Sequence, residues 1–153
     1  MTNFRNADEV LNFAIEREEE AARFYQEQAE KMNRPETRKI FLDFAQEEMV
    51  HKSKLLAIKN GEHKMSLPTE TVADLKIADY FATTPQVGPH MLYTDMLVVA
   101  MRKEKEAFKL YTDLAAAAKE ENLRTIFLGL ANEEAKHKLR FELEYDKELL
   151  SEN

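Results

Sequence analysis

The chain carries one pattern twice, at a fixed offset of 86 residues. Ala14 aligns with Ala100, Glu18 with Glu104, Glu20 with Glu106, Ala21 with Ala107, Tyr25 with Tyr111 and Ala29 with Ala115. The same offset carries Arg38, Ile40, Phe41, Leu42, Ala45, Glu47, Glu48, His51 and Lys52 onto Arg124, Ile126, Phe127, Leu128, Ala131, Glu133, Glu134, His137 and Lys138. Two segments with the same order of apolar and polar residues are expected to fold into the same unit and to pair about an approximate two-fold axis. A residue near that axis in one half then meets its counterpart in the other, so pairs of identical side chains become geometrically natural.

Each half reads as a helical hairpin. Asn6 followed by Glu9 resembles a capping box, and Leu11, Ala14, Ala21, Tyr25, Ala29 and Met32 recur at helical spacing, which predicts helix A over about 7–32. Asn33, Arg34 and Pro35 break it, because proline lacks an amide hydrogen and disfavours helical geometry in the residue before it. Helix B, about 36–59, buries Ile40, Phe41, Phe44, Ala45, Leu55 and Leu56 and stops at Asn60 and Gly61. The stretch 60–93 holds Pro68, Pro85, Pro89 and Gly88 and reads as a long crossover with a short helix around 72–81. Helix C, about 95–120, is capped by Thr94 and presents Leu97, Ala100, Ala107, Tyr111, Leu114 and Ala118. Helix D, about 123–150 after a break near Asn122, presents Ile126, Phe127, Leu130, Ala131 and Phe141. The fold class is therefore all-α, a four-helix bundle made of two repeated hairpins joined by one long crossover.

A chain of 153 residues is long enough to bury one core without covalent staples, so a single domain over 1–153 is expected. Only 3 glycines and 4 prolines interrupt it, in keeping with long helices. With no cysteine, disulfides, thiolate metal sites and cysteine nucleophiles are excluded, and any metal must be held by oxygen and nitrogen. Met1 to Asn6 shows no signal-peptide pattern and no segment is apolar enough for a membrane span, so a cytoplasmic protein with no membrane partner is expected. The formal charge of −7 comes from acids and bases that alternate along the chain without a basic stripe, which argues against nucleic acid as a partner.

The repeat also duplicates a chemical pattern. Helix B reads Glu48-Met49-Val50-His51 and helix D reads Glu134-Ala135-Lys136-His137. Residues at i and i+3 share a helix face, so each carboxylate and imidazole can reach a common point. One Glu-x-x-His in a Glu-rich helix is usually a solvated charge pattern. Here Glu48 and Glu134 instead continue the apolar faces of Phe41, Phe44 and Ala45 and of Phe127, Leu130 and Ala131. Glu18 and Glu104 sit four residues after a buried-face alanine and seven before a tyrosine on the same stripe. Four carboxylates gathered in a core cannot all stay ionised unless cations compensate them, and two divalent ions do so. A donor set of carboxylates with two imidazoles suits iron first, with manganese as the alternative, and disfavours structural zinc.

The arrangement of one Glu on helices A and C and Glu-x-x-His on helices B and D resembles the rubrerythrin branch of the ferritin-like diiron carboxylate family over nearly the whole chain. The resemblance implies a ferritin-like bundle and the metal ligands Glu18, Glu48, His51, Glu104, Glu134 and His137 around two iron ions, with Glu48 and Glu134 as bridges. It implies an oxidoreductase that reduces hydrogen peroxide or dioxygen. Rubrerythrins typically carry a further Glu one turn after the helix C ligand, where this chain has Ala107, and a cysteine-rich rubredoxin segment, which it lacks. Electrons must then come from an external donor protein.

Other residues weigh less. Tyr25 and Tyr111 read either as hydrogen-bonding neighbours of the carboxylates or as plain aromatic packing. Glu20, Glu106, Glu47 and Glu133 point away from the ligand face, and His63 and His90 have no partner at ligand spacing and read as exposed. The alternative functions are iron binding or storage without catalysis, or a metal-stabilised structural or sensing protein. The long crossover would permit exchange of hairpins between two chains, so a homodimer is one expected form.

Overall fold

Four helices account for all regular structure in residues 7–61 and 93–151, which are those the computed structural model describes. They are α1 (Ala7–Lys31), α2 (Pro35–Lys59), α3 (Tyr93–Ala117) and α4 (Glu121–Ser151). The capping pair at Asn6, the short helix around 72–81 and His63 and His90 lie outside the described residues. The chain divides into two compact units, one holding α1 packed on α2 and the other α3 packed on α4.

The turn between α1 and α2 shows how the sequence sets a hairpin. Arg34 is extended, at φ −86° and ψ 125°, as the residue before a proline must be, and Pro35 begins α2 at its first helical position, where no amide hydrogen is needed. Pro35 thus starts the second helix, after the first has ended at Lys31. The guanidinium of Arg38 donates to the Met32 carbonyl at 2.8 Å, satisfying an acceptor at the open end of α1. The second hairpin repeats the device at the same offset: Arg124 donates to the Ala118 carbonyl at 3.1 Å.

α2 ends as anticipated. Asn60 donates its amide to the Leu56 carbonyl at 2.8 Å, Gly61 donates to Ile58 at 3.1 Å, and Gly61 turns into the left-handed region at φ 89°. In the second hairpin the boundaries differ from expectation. α3 begins at Tyr93, so Thr94 lies inside the helix rather than capping it, and the break falls at residues 118–120, ahead of Asn122, which is already helical in α4.

Burial follows the repeat. Leu11, Ala14, Tyr25 and Ala29 of α1 and Phe41, Ala45 and Leu55 of α2 are buried, as are their counterparts Leu97, Ala100, Tyr111, Ala115, Phe127, Ala131 and Phe141. Ala21, Ala107, Ile40 and Leu56, placed on the buried stripes by spacing alone, are only half-buried. Tyr25 sits in an aromatic cluster with Phe24, Phe41 and Phe44, at centroid separations of 5.5, 6.2 and 6.0 Å. Its counterpart Tyr111 stacks on Phe127 at 6.5 Å. Edge-to-face and offset pairs of this kind contribute about 1 kcal/mol each beyond the area they bury.

Candidate metal centre

The interior of each hairpin holds three buried ionisable residues. In the first hairpin these are Glu18 on α1 and Glu48 and His51 on α2, which are 1–2% exposed. In the second they are Glu104 on α3 and Glu134 and His137 on α4, buried to the same degree. Ionisable side chains are almost never so deeply buried unless they are paired or bind a metal. The helices place them there by the same periodicity that buries their neighbours: Glu48 and His51 follow Phe41 and Ala45 on one stripe, and Glu134 and His137 follow Phe127 and Ala131.

Within each triad the side chains converge. One ligand atom from each of Glu18, Glu48 and His51 lies within 4.8 Å of the others, and the same is true of Glu104, Glu134 and His137. His51 presents Nδ1 at 3.5 Å from Glu18 Oε2 and 3.6 Å from Glu48 Oε1, while His137 presents Nδ1 at 3.5 Å from Glu104 Oε1. These separations are too long for good hydrogen bonds. They suit donors arranged around a shared cation, since ligand bonds of about 2.1 Å place adjacent donors about 3 Å or more apart. In both hairpins the ring nitrogen that faces the carboxylates is Nδ1, so the two triads repeat down to the atom. Oxygen and imidazole donors alone fit a hard or borderline divalent ion. Each triad is therefore able to bind metal.

All six residues singled out from the sequence pattern occupy these triads. The residues set aside from the ligand face also behave accordingly. Glu20 pairs with Arg17, Glu133 pairs with Lys136 at 3.3 Å, Glu47 is exposed and Glu106 is half-buried. The rings of Tyr25 and Tyr111 pack against aromatic neighbours.

One contact beside the first triad was not read from the sequence. Glu19, next to Glu18, forms an ion pair with Lys52, next to His51, at 2.8 Å. The hydrogen bond from Lys52 and its charge hold the Glu19 carboxyl below the usual glutamate range. This pair ties α1 to α2 one residue away from the ligands. Lys52 has a counterpart in Lys138, but Glu19 aligns with Lys105, and Lys138 pairs instead with Glu142 on its own helix. The signal lay in the places where the repeat fails.

A crystal structure of a candidate ferritin-like diiron-carboxylate protein from Thermotoga maritima aligns with 97% of this chain and 99% of its own length, at a TM-score of 0.76 and 19% identity. That likeness sets the fold as an all-α, ferritin-like four-helix bundle. No curated protein matches the chain significantly. The rubrerythrin family model matches residues 9–88 and 95–153. With paired Glu and Glu-x-x-His triads buried in repeated hairpins on this fold, the chain belongs to the rubrerythrin family.

Proposed function

We propose that Glu18, Glu48, His51, Glu104, Glu134 and His137 together hold two iron ions, and that the protein is an oxidoreductase that reduces hydrogen peroxide or dioxygen with electrons from an external donor protein. The observation that carries this reading is the pair of matched, buried Glu, Glu, His triads. Family membership supports joining them in one centre, because two divalent ions balance four buried carboxylates that would otherwise repel one another.

A pair of ferrous ions held there would supply two electrons and Lewis acidity for the reduction of peroxide or dioxygen. The chain's own residues do the rest. Glu18 and Glu104 would hold the ions from α1 and α3, Glu48 and Glu134 would be shared between them on family resemblance, and His51 and His137 would complete the set with the Nδ1 that faces the carboxylates. The packed rings of Tyr25, Phe41, Tyr111 and Phe127 fix the helices that present these ligands and keep bulk water from the hairpin interiors.

The test is anaerobic loading with ferrous ion, metal analysis and a pulse of peroxide, on the wild type and on Glu48→Ala with Glu134→Ala. The wild type should hold about two ions per chain and the double variant fewer than one. Repeated peroxide consumption with a supplied reductant supports the enzyme. Intact metal binding with no turnover would sink it in favour of a structural or sensing role, and storage would require a closed shell of many subunits, which sedimentation would detect.

A further inference from the structure

The two triads repeat, but the charges around them do not. Most charged positions keep their sign at the 86-residue offset: Arg17 matches Lys103, Glu20 matches Glu106, and farther out Glu9, Arg23 and Glu27 match Asp95, Lys109 and Asp113. Two positions within a turn of the ligand on α1 and α3 reverse. The place of Glu16 is taken by Arg102 and that of Glu19 by Lys105. The members of each pair are three residues apart and share a helix face, beside Glu18 in one hairpin and beside Glu104 in the other. On α2 and α4 the charges next to the ligands, Glu47 and Lys52, recur as Glu133 and Lys138, and Lys136 stands where Val50 does. The reversal also changes a contact. Glu19 bridges to Lys52 at 2.8 Å and ties α1 to α2 one residue from Glu18 and from His51. In the second hairpin lysines occupy both equivalent places, and Lys138 pairs with Glu142 on its own helix.

We infer that the two metal positions are unequal: the one ligated by Glu18 and His51 fills first and holds its ion more tightly than the one ligated by Glu104 and His137. This rests on the metal-binding reading above. Two sign reversals amount to a difference of four unit charges acting on a divalent ion. The side chains concerned stand within about one helix diameter, roughly 10–12 Å, of the ligand, a span across which charges still act when salt is low. Acids there attract the ion and bases repel it, so the first position gains at least about tenfold in affinity at low ionic strength. Arg102 and Lys105 are exposed, so salt screens their effect and the gap narrows as salt rises. The bridge from Glu19 to Lys52 works in the same direction, because donors already held in place lose less freedom when an ion binds. The ion of the second hairpin is then the labile one, last to enter and first to leave.

The test is titration of the metal-free full chain with manganous ion, whose free aqueous form is counted by electron paramagnetic resonance, at about 20 and 300 mM salt. The wild type should take up two ions in two steps, separated at least about tenfold at the lower salt and only a few-fold at the higher. With one position disabled, His137→Ala should keep the tight step and His51→Ala the weak one. Arg102→Glu with Lys105→Glu should strengthen the weak step about tenfold at low salt, and Glu16→Arg with Glu19→Lys should weaken the tight step by a similar factor. Neither charge reversal should change the number of ions bound. Equal affinities in the wild type, a tight step that survives in His51→Ala, or a gap unchanged by both charge reversals overturns the inference and leaves the two-ion centre standing. Uptake of fewer than two ions by the wild type overturns the centre and the inference together.

Discussion

At the scale of single residues, the six buried Glu and His side chains act against the stability of the metal-free protein and, on the proposed function, would favour a metal-loaded one. Glu104 is 1% exposed, and ionising it beside Glu134 without a cation is costly. Glu104→Gln should therefore stabilise the metal-free chain, by about 1–2 kcal/mol, while lowering the melting temperature of the iron-loaded form. Thermal melts of both forms check this, and a loss of stability in the metal-free variant would contradict it. The Glu19 and Lys52 pair behaves differently because it is partly exposed, at 40% and 25% for the two side chains. Its worth is screened to about 0.5 kcal/mol. Since the folded carboxyl titrates below its unfolded value, this contribution is fully present above the ordinary glutamate range and disappears as pH falls through the lowered value. Lys52→Ala should thus lower stability slightly at neutral pH, and the difference should shrink as pH falls through the lowered value, which paired denaturation curves would show.

At the scale of the elements, the hairpins depend on their turns. Arg38 and Arg124 close the ends of α1 and α3 by donating to Met32 and Ala118. Replacing either by alanine should cost about 1 kcal/mol and accelerate hydrogen exchange in the adjoining turn of that hairpin. Gly61 sits at φ 89°, so alanine there should cost about 1 kcal/mol even though nothing lies within 4 Å of an added Cβ. The interior is less forgiving. Phe127 is fully buried against Tyr111, and Phe127→Ala should cost about 3–5 kcal/mol, measurable by urea denaturation. The helices themselves were legible because apolar periodicity, Pro35 and the Asn60 and Gly61 pair all agree. The start of α3 was misplaced because Thr94 is a good capping residue that tertiary packing carries inside the helix. Propensity is a weak constraint where a buried stripe, here Met96, Leu97 and Ala100, already holds the first turns.

At the scale of the whole molecule, the proposed centre would couple metal binding to folding. Ion that binds only the folded chain, at about a thousandfold excess over its dissociation constant, should add about 4 kcal/mol, so chelation should lower the melting temperature by several degrees. An unchanged melt after complete chelation would deny that coupling. No described helix is long and apolar enough to cross a membrane. Charge is evenly mixed along the sequence and stays mixed on α3, where Arg102, Lys105 and Lys109 share a face with Asp95, Glu106 and Asp113.

The 86-residue repeat by itself determined the two hairpins and picked out the six buried Glu and His residues proposed as ligands, because burial on a helix follows from periodicity and periodicity is written in the order of residues. Tertiary structure decided what periodicity cannot encode. It turned Nδ1 of His51 and His137 toward the carboxylates, bridged Glu19 to Lys52 across two helices, and seated the Arg38 and Arg124 guanidiniums on helix-end carbonyls. Each of these depends on a rotamer and on the separation between two packed helices, and a one-dimensional pattern contains neither.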